Sequence, residues 1–161
     1  MTSSQQYKQI RIIIAGGGTG GHIFPAIAVA QAIQQIQPEA VILFVGAEGK
    51  MEMEKVPKAG YEIKGLTIAG FNRTSILKNI TLPWKLIKSF LQVKKIFKDF
   101  KPNVVFGVGG YSSFPVLKYA QSQHIPTFIH ESNAFAGKAN QWLGADATQI
   151  FTGTKGMESF F

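Results

Sequence analysis

The chain has 161 residues, 45% of them hydrophobic, no cysteine and a net charge of +8. That size and apolar content give one globular domain with a real core and exclude a disordered chain, while the lack of cysteine excludes disulfides and thiolate chemistry and suits a reducing compartment. Residues 1–9 are polar, the apolar run behind them is too short for a signal peptide, and no stretch approaches the ~18 apolar residues of a membrane span, which leaves a soluble or peripheral protein.

Strands and helices alternate along the chain. Residues 10–15 (Ile10-Arg11-Ile12-Ile13-Ile14-Ala15) read as a buried strand. Gly16-Gly17-Gly18-Thr19-Gly20-Gly21-His22 follows as a turn, and residues 24–36 as a helix with Pro25 in its first turn. Residues 41–45 form a second strand ended by Gly46, residues 51–55 a short helix stopped near Pro57, and residues 61–68 an extended segment. A long helix spans residues 80–100, with strands at 103–108, 126–130 and 147–151 and helices at 113–123 and 136–143. This order predicts an α/β fold, a Rossmann-like doubly wound parallel sheet with helices on both faces.

Ligands of such folds bind outside the carboxyl ends of the strands. Three of those ends are unusual here: the first glycine turn, a second one at Gly107-Val108-Gly109-Gly110-Tyr111-Ser112-Ser113, and His130-Glu131-Ser132-Asn133. Glycine turns that open helices bring backbone N–H groups close to an anion. Gly16, Gly18 and Gly21 satisfy G-x-G-x-x-G, but Val45 is followed by Gly46 and Ala47 rather than an acid, which argues against a dinucleotide site. No Gly-Lys-Ser/Thr follows, so a P-loop fails, and no G-x-S-x-G marks a serine hydrolase. His130 and Glu131 are adjacent and point to opposite strand faces, and no metal-ligand spacing is present. His22 suits a general base or a donor to a phosphate or sugar oxygen, with a packing or capping role as the plain alternative. Glu131 suits a base, or a cap for the helix behind it. His124 reads as incidental.

The positive charge is concentrated. Residues 63–98 hold Lys64, Arg73, Lys78, Lys85, Lys88, Lys94, Lys95 and Lys98 and no acid. In the long helix, Leu86, Ile87, Phe90, Val93 and Phe97 form the stripe expected on the sheet. Trp84 and Leu91 fall beside Lys88, Lys95 and Lys98, with Ile76, Leu77 and Ile80 upstream. Apolar and aromatic residues among lysines suit the headgroup level of an anionic membrane. Nucleic acid is disfavoured because no stacking aromatics or known module accompany the charge.

Four blocks then occur in order: residues 17–26, residues 44–49, Gly107-Val108-Gly109-Gly110-Tyr111 and residues 130–137. Together they make the chain resemble, over nearly all its length, the N-terminal half of the MurG family of N-acetylglucosaminyltransferases. The resemblance implies a GT-B fold of two Rossmann-like domains. It implies inverting transfer of N-acetylglucosamine from UDP-GlcNAc to the C4 hydroxyl of lipid I (undecaprenyl-pyrophosphoryl-MurNAc-pentapeptide), giving lipid II for peptidoglycan at the cytoplasmic face of the plasma membrane. Residues 1–161 would be the acceptor- and membrane-binding domain, with the UDP-sugar domain absent and the isolated chain inactive. By motif, Thr19, Gly20, Gly21 and Asn133 would touch the donor. Gly18, His22, Gly109, Gly110 and Tyr111 would meet the acceptor and its diphosphate, and His22 or Glu131 would serve as base. Ile80, Trp84, Lys85, Lys88 and Leu91 would form the membrane patch, and no tightly bound metal is required. Ser132 stands where the family usually carries glutamine. Two other readings stay open: an anion-binding Rossmann module without catalysis, and an NAD-dependent oxidoreductase domain.

Overall fold

The computed structural model describes residues 9–70 and 79–161. Arg73, Ile76, Leu77 and Lys78 of the basic segment lie outside these residues. Six strands, β1 (Arg11–Ala15), β2 (Val41–Ala47), β3 (Glu62–Leu66), β4 (Val104–Gly107), β5 (Thr127–Glu131) and β6 (Gln149–Thr152), pair in parallel in the order β3-β2-β1-β4-β5-β6. Helices α1 (Gly20–Ile36), α2 (Glu52–Lys58), α3 (Leu82–Phe100), α4 (Ser113–Ser122) and α5 (Lys138–Gly144) make the crossovers. The predicted doubly wound α/β fold is the observed one. The strand order reverses direction between β1 and β4, and in an open parallel sheet that switch point opens a crevice at the carboxyl ends.

The strands are apolar on both sides because both sides are covered. Ile12, Ile14, Ile42 and Phe44 pack against Ile23, Ala26 and Ala30 of α1 and Val56 of α2. Their neighbours Ile13, Leu43, Val45, Val105 and Ile129 face the other way, onto Val93 and Phe97 of α3, Val116, Leu117 and Ala120 of α4, and Leu143 of α5.

Three elements differ from the sequence expectation for local reasons. The helix predicted at 24–36 begins at Gly20, because the Thr19 carbonyl already accepts the N–H groups of His22 (3.1 Å) and Ile23 (3.2 Å). Pro25 is therefore in the second turn rather than the first. Helix α2 runs to Lys58 and holds Pro57 in its closing turn.

The third difference lies in the first turns of α3: Val93 and Phe97 of the predicted stripe are buried, together with Ser89 and flanked by partly buried Ile96 and Phe100, but Leu86 and Ile87 at its start are not. A 19-residue helix is about 28 Å long, whereas the four-residue β4 spans about 13 Å. The helix overshoots the sheet, and its first turns leave Leu86 and Ile87 largely in solvent. Phe97 is buried edge-on against Tyr119, with ring centroids 5.0 Å apart. Phe97→Ala is expected to cost about 3–5 kcal/mol in urea unfolding, and Ile87→Ala less than about 0.5 kcal/mol; equal losses would restore the predicted stripe.

Candidate functional site

The two glycine turns leave the carboxyl ends of adjacent strands and interlock through their backbones. Val108 N–H continues the sheet ladder to Ala15 O (2.9 Å), and Gly17 N–H then donates to Gly109 O (3.3 Å). Gly110 lies so close to the Gly17 carbonyl that any Cβ there would collide with it. Its φ of +84° disfavours an L side chain for a second, independent reason. Only glycine lets these loops meet as bare main chain.

This contact sets the entry of α1 and places His22 over the second turn. His22 Nδ1 lies 3.1 Å from Gly17 O and 3.3 Å from Thr19 Oγ1. A carbonyl can only accept, so the bond to Gly17 puts a proton on Nδ1, and in the neutral imidazole the lone pair is then on Nε2. A Cβ at Gly109 would sit 3.0 Å from that Nε2, so the nitrogen rests on the glycine backbone at the mouth of the crevice. The first-turn N–H groups of Gly20 and Gly21 have no acceptor in their own helix, and those of Gly109, Gly110 and Tyr111 have none among the described residues. Tyr111 is half-buried, and burial, with the charge of Glu52 second, raises its pKa, so its hydroxyl stays a donor.

Glu52 is the residue that sequence reasoning passed over. It lies 1% exposed at the first position of α2, and its carboxylate accepts Ala47 N–H and Gly18 N–H, both at 3.0 Å. Gly17 and Gly46 make its room, since a Cβ at either would strike the carboxylate side chain. The acid missing at the end of β2 thus arrives from the next helix, to hold the turn rather than a ribose. Its presence corrects the expected role of Gly18, whose N–H is spent on Glu52 and cannot also cradle a diphosphate.

Glu131 is likewise engaged. It is the last residue of β5, faces inward and is 2% exposed. Oε1 accepts Asn133 N–H (3.0 Å) and Asn133 Nδ2 (2.8 Å), while Oε2 accepts Gly137 N–H (3.1 Å) and Asn140 Nδ2 (2.9 Å). Burial alone would raise its pKa, but these four donors outweigh that and hold the carboxyl below the ordinary range. A buried carboxylate whose oxygens already accept four N–H groups is poorly placed to take a proton from a substrate, which corrects the base expected at Glu131 to a residue that holds the turn before α5. Asn133 consequently has its amide N–H₂ pointed at Glu131.

Residues 12–152 match the glycosyltransferase family 28 N-terminal domain. The chain belongs to this family. A protein of Phocaeicola vulgatus, named UDP-N-acetylglucosamine–N-acetylmuramyl-(pentapeptide) pyrophosphoryl-undecaprenol N-acetylglucosamine transferase, is 56% identical over 96% of this chain and 41% of its own length. One of the same name from Bacteroides thetaiotaomicron is 53% identical over the same shares. The crystal structure of Acinetobacter baumannii MurG matches with a TM-score of 0.80 at 28% identity, covering 92% of this chain and 43% of that one. The chain therefore spans about two fifths of the length of the curated relatives it matches.

Within this family 28 domain, Ser132 is more than a shortened glutamine. Pro25 has no N–H, so the Gly21 carbonyl four residues back lacks its helical partner. Ser132 Oγ donates to that carbonyl at 3.3 Å, tying the β5 turn to the first turn of α1. The structure thus brings Gly18, Thr19, Gly20, Gly21, His22, Gly109, Gly110 and Tyr111 together around one crevice, with Asn133 on the adjoining turn. Among the described residues no cluster of three or more His, Asp or Glu suits a metal ion.

Glu131 makes stability pH-dependent. Because its pKa is lowered by folding, its contribution is full above the ordinary carboxylate value and is lost as pH falls through the lowered one. Glu131→Gln presents N–H₂ toward donors and is expected to lose about 1–3 kcal/mol near neutral pH. Urea unfolding as a function of pH should also show a flatter acid limb than the parent; an unchanged limb would show that Glu131 does not carry it.

Proposed function

We propose that this chain is the acceptor- and membrane-binding half of an inverting N-acetylglucosaminyltransferase. It would act with a UDP-sugar domain, from UDP-GlcNAc to lipid I, and the chain by itself would be inactive. The observation that carries this reading is His22 Nε2 set against Gly109 beside a crevice rimmed by unused N–H groups, at the switch point of a family 28 domain.

The chemistry follows from that arrangement. An acceptor hydroxyl at Nε2 gives its proton to His22 as its oxygen attacks the anomeric carbon. The bond from that carbon to the UDP oxygen breaks on the opposite side, and the electron pair leaves with UDP. A single displacement of this kind inverts the carbon. The N–H groups of Gly20 and Gly21 at the α1 N-terminus lie where charge on a diphosphate would be met, as do those of Gly109, Gly110 and Tyr111. The reading asks for no resident metal. Glu131 acts by holding Asn133 and Asn140 rather than by moving a proton. In the full-length enzyme, His22→Ala is expected to lower kcat by about 10²–10⁴-fold with a much smaller change in acceptor KM. A kcat within a few-fold of the parent would remove His22 as base.

The membrane half of the proposal rests on the overshooting turns of α3. Trp84 is 74% exposed and Leu91 64%, with Ile80 and Ile87 also in solvent. Trp84, Ile87 and Leu91, with Lys85 and Lys88, border an apolar depression of about 450 Å³. None of Lys85, Lys88, Lys94, Lys95 and Lys98 has an ion-pair partner among the described residues. Unpaired lysines around exposed tryptophan and aliphatic side chains favour peripheral docking on the anionic inner face of a plasma membrane. Among the described residues no helix is long and apolar enough to cross one. Trp84→Ala with Lys85→Ala and Lys88→Ala is expected to weaken binding to phosphatidylglycerol vesicles about tenfold or more, with parent binding falling as salt rises. Equal parent binding to neutral vesicles at high salt would argue against the electrostatic part.

A further inference from the structure

A second depression, distinct from the one beside Trp84, runs between α3 and α5 and ends at Tyr111. It has a volume of about 590 Å³, and its walls are Ile68, Leu82, Leu86, Phe114 and Trp142 with Tyr111 at one end. Lys138 is the one charged side chain lining it among the described residues. The volume is within the range of small-molecule sites, yet the walls present almost nothing to hydrogen-bond a sugar, a peptide or a nucleotide. Trp142 is 70% exposed and stands edge-on to Phe114 at 6.2 Å, so the wall is braced from one side and open to solvent on the other.

Position identifies the occupant. Tyr111 lines the groove and also reaches the first glycine turn, since a Cβ at Gly18 would lie 3.9 Å from its Cε1. At the groove's outer end Leu82, Pro83 and Leu86 belong to the first turns of α3, which also carry Trp84 and Ile87 of the exposed patch. The groove is thus an apolar path from the membrane-facing turns to the crevice where a diphosphate would sit. The curated relatives are named for a pyrophosphoryl-undecaprenol acceptor, a diphosphate joined directly to a polyisoprenoid chain. We propose that this groove holds the first isoprene units of the acceptor's carrier lipid, with Tyr111 marking the junction between chain and diphosphate and Lys138 offering a counter-charge beside it. The proposal rests on the acceptor reading above and adds a subsite to it. A single lipid would leave the bilayer along the α3 patch and reach the catalytic crevice without exposing its chain to water, which is the favourable route for apolar surface.

The test uses the two tryptophans of the chain. In a Trp84→Phe background Trp142 is the sole indole, and its emission reports the groove. Farnesyl pyrophosphate, below its micellar range, is expected to shift that emission to the blue, saturably, and to bind about 10–100-fold more tightly than inorganic pyrophosphate followed by calorimetry. Ala139→Phe, which fills the groove, and Leu86→Asp, which charges its outer wall, should each abolish the gain from the chain while leaving pyrophosphate affinity unchanged. Two variants guard against one that fails to fold, checked by circular dichroism. Equal affinity for the two ligands, or a chain-dependent gain that survives both variants, would overturn the groove while leaving the diphosphate site standing. Failure of both ligands to bind would overturn the acceptor reading as well. Quenching of Trp142 by brominated phosphatidylglycerol vesicles that farnesyl pyrophosphate cannot relieve would assign the groove to bulk lipid instead. A blue shift that tracks dimer formation in sedimentation would assign it to a second copy of the chain. Either result would overturn the proposal.

Discussion

The site depends on a contact between two stretches of bare backbone. Where the Gly17 carbonyl presses on Gly110 and Gly17 N–H reaches Gly109 O, the ends of β1 and β4 become one surface rather than two loops. Everything functional is indexed to it. The same Gly17 carbonyl orients the His22 ring, the Gly109 backbone supports its other edge, and Tyr111 follows directly from the second turn. A side chain at either glycine would separate the strands' ends, tilt the first turn of α1 and move the imidazole together with the N–H groups beside it. Such coupling lets a small crevice keep its geometry although it is made mostly of loop.

Two buried carboxylates complete the frame, and they divide the N–H groups into those used for structure and those left for a ligand. A buried anion is tolerated only when its oxygens are saturated. Glu52 is met by Gly18 and Ala47, Glu131 by two backbone N–H groups and two amide side chains. Each acid pulls one side of the crevice into shape from behind, and neither reaches its open face. The remaining free donors, on Gly20, Gly21, Gly109, Gly110 and Tyr111, therefore lie in a field set by internal anions. A diphosphate there, as proposed, would be met by direct hydrogen bonding and by the positive end of α1 rather than by fixed positive side chains. The positive side chains are deployed elsewhere, along α3.

Much of this was legible in the sequence because it rests on local rules. Apolar runs closed by glycine announce buried parallel strands, the two glycine turns announce strand ends, and the crevice follows from their sharing one edge. Glu52 was not legible for an equally physical reason. An acid in a seven-residue helix reads as a solvated first-turn residue, and only the missing side chains of Gly17 and Gly46, 29 residues apart in sequence, create the space that buries it. Glu131 was readable as a cap or a base, and its four donors converge from residues whose orientation is set by the α5 turn. The α3 stripe was right at Val93 and Phe97 and wrong at Leu86 and Ile87, because helical periodicity tells which residues share a face but not how far the sheet beneath them extends.

That overshoot places exposed apolar turns beside the crevice. Helix α3 follows β3, so in a parallel sheet its N-terminal turns stand at the carboxyl edge, the same edge as the glycine turns. Its C-terminal half is anchored by Val93, Ile96, Phe97 and Phe100 in the core, and its N-terminal half carries Trp84, Ile87 and Leu91 into solvent. One rigid helix thereby fixes the height of the exposed apolar turns relative to His22. A flexible tether would leave the His22 Nε2 at a variable distance from such turns. A packed helix sets that distance once; under the proposed function, a headgroup on a membrane-bound chain would then arrive at the level of the crevice, with the cost of ordering met by the fold rather than by each encounter with substrate.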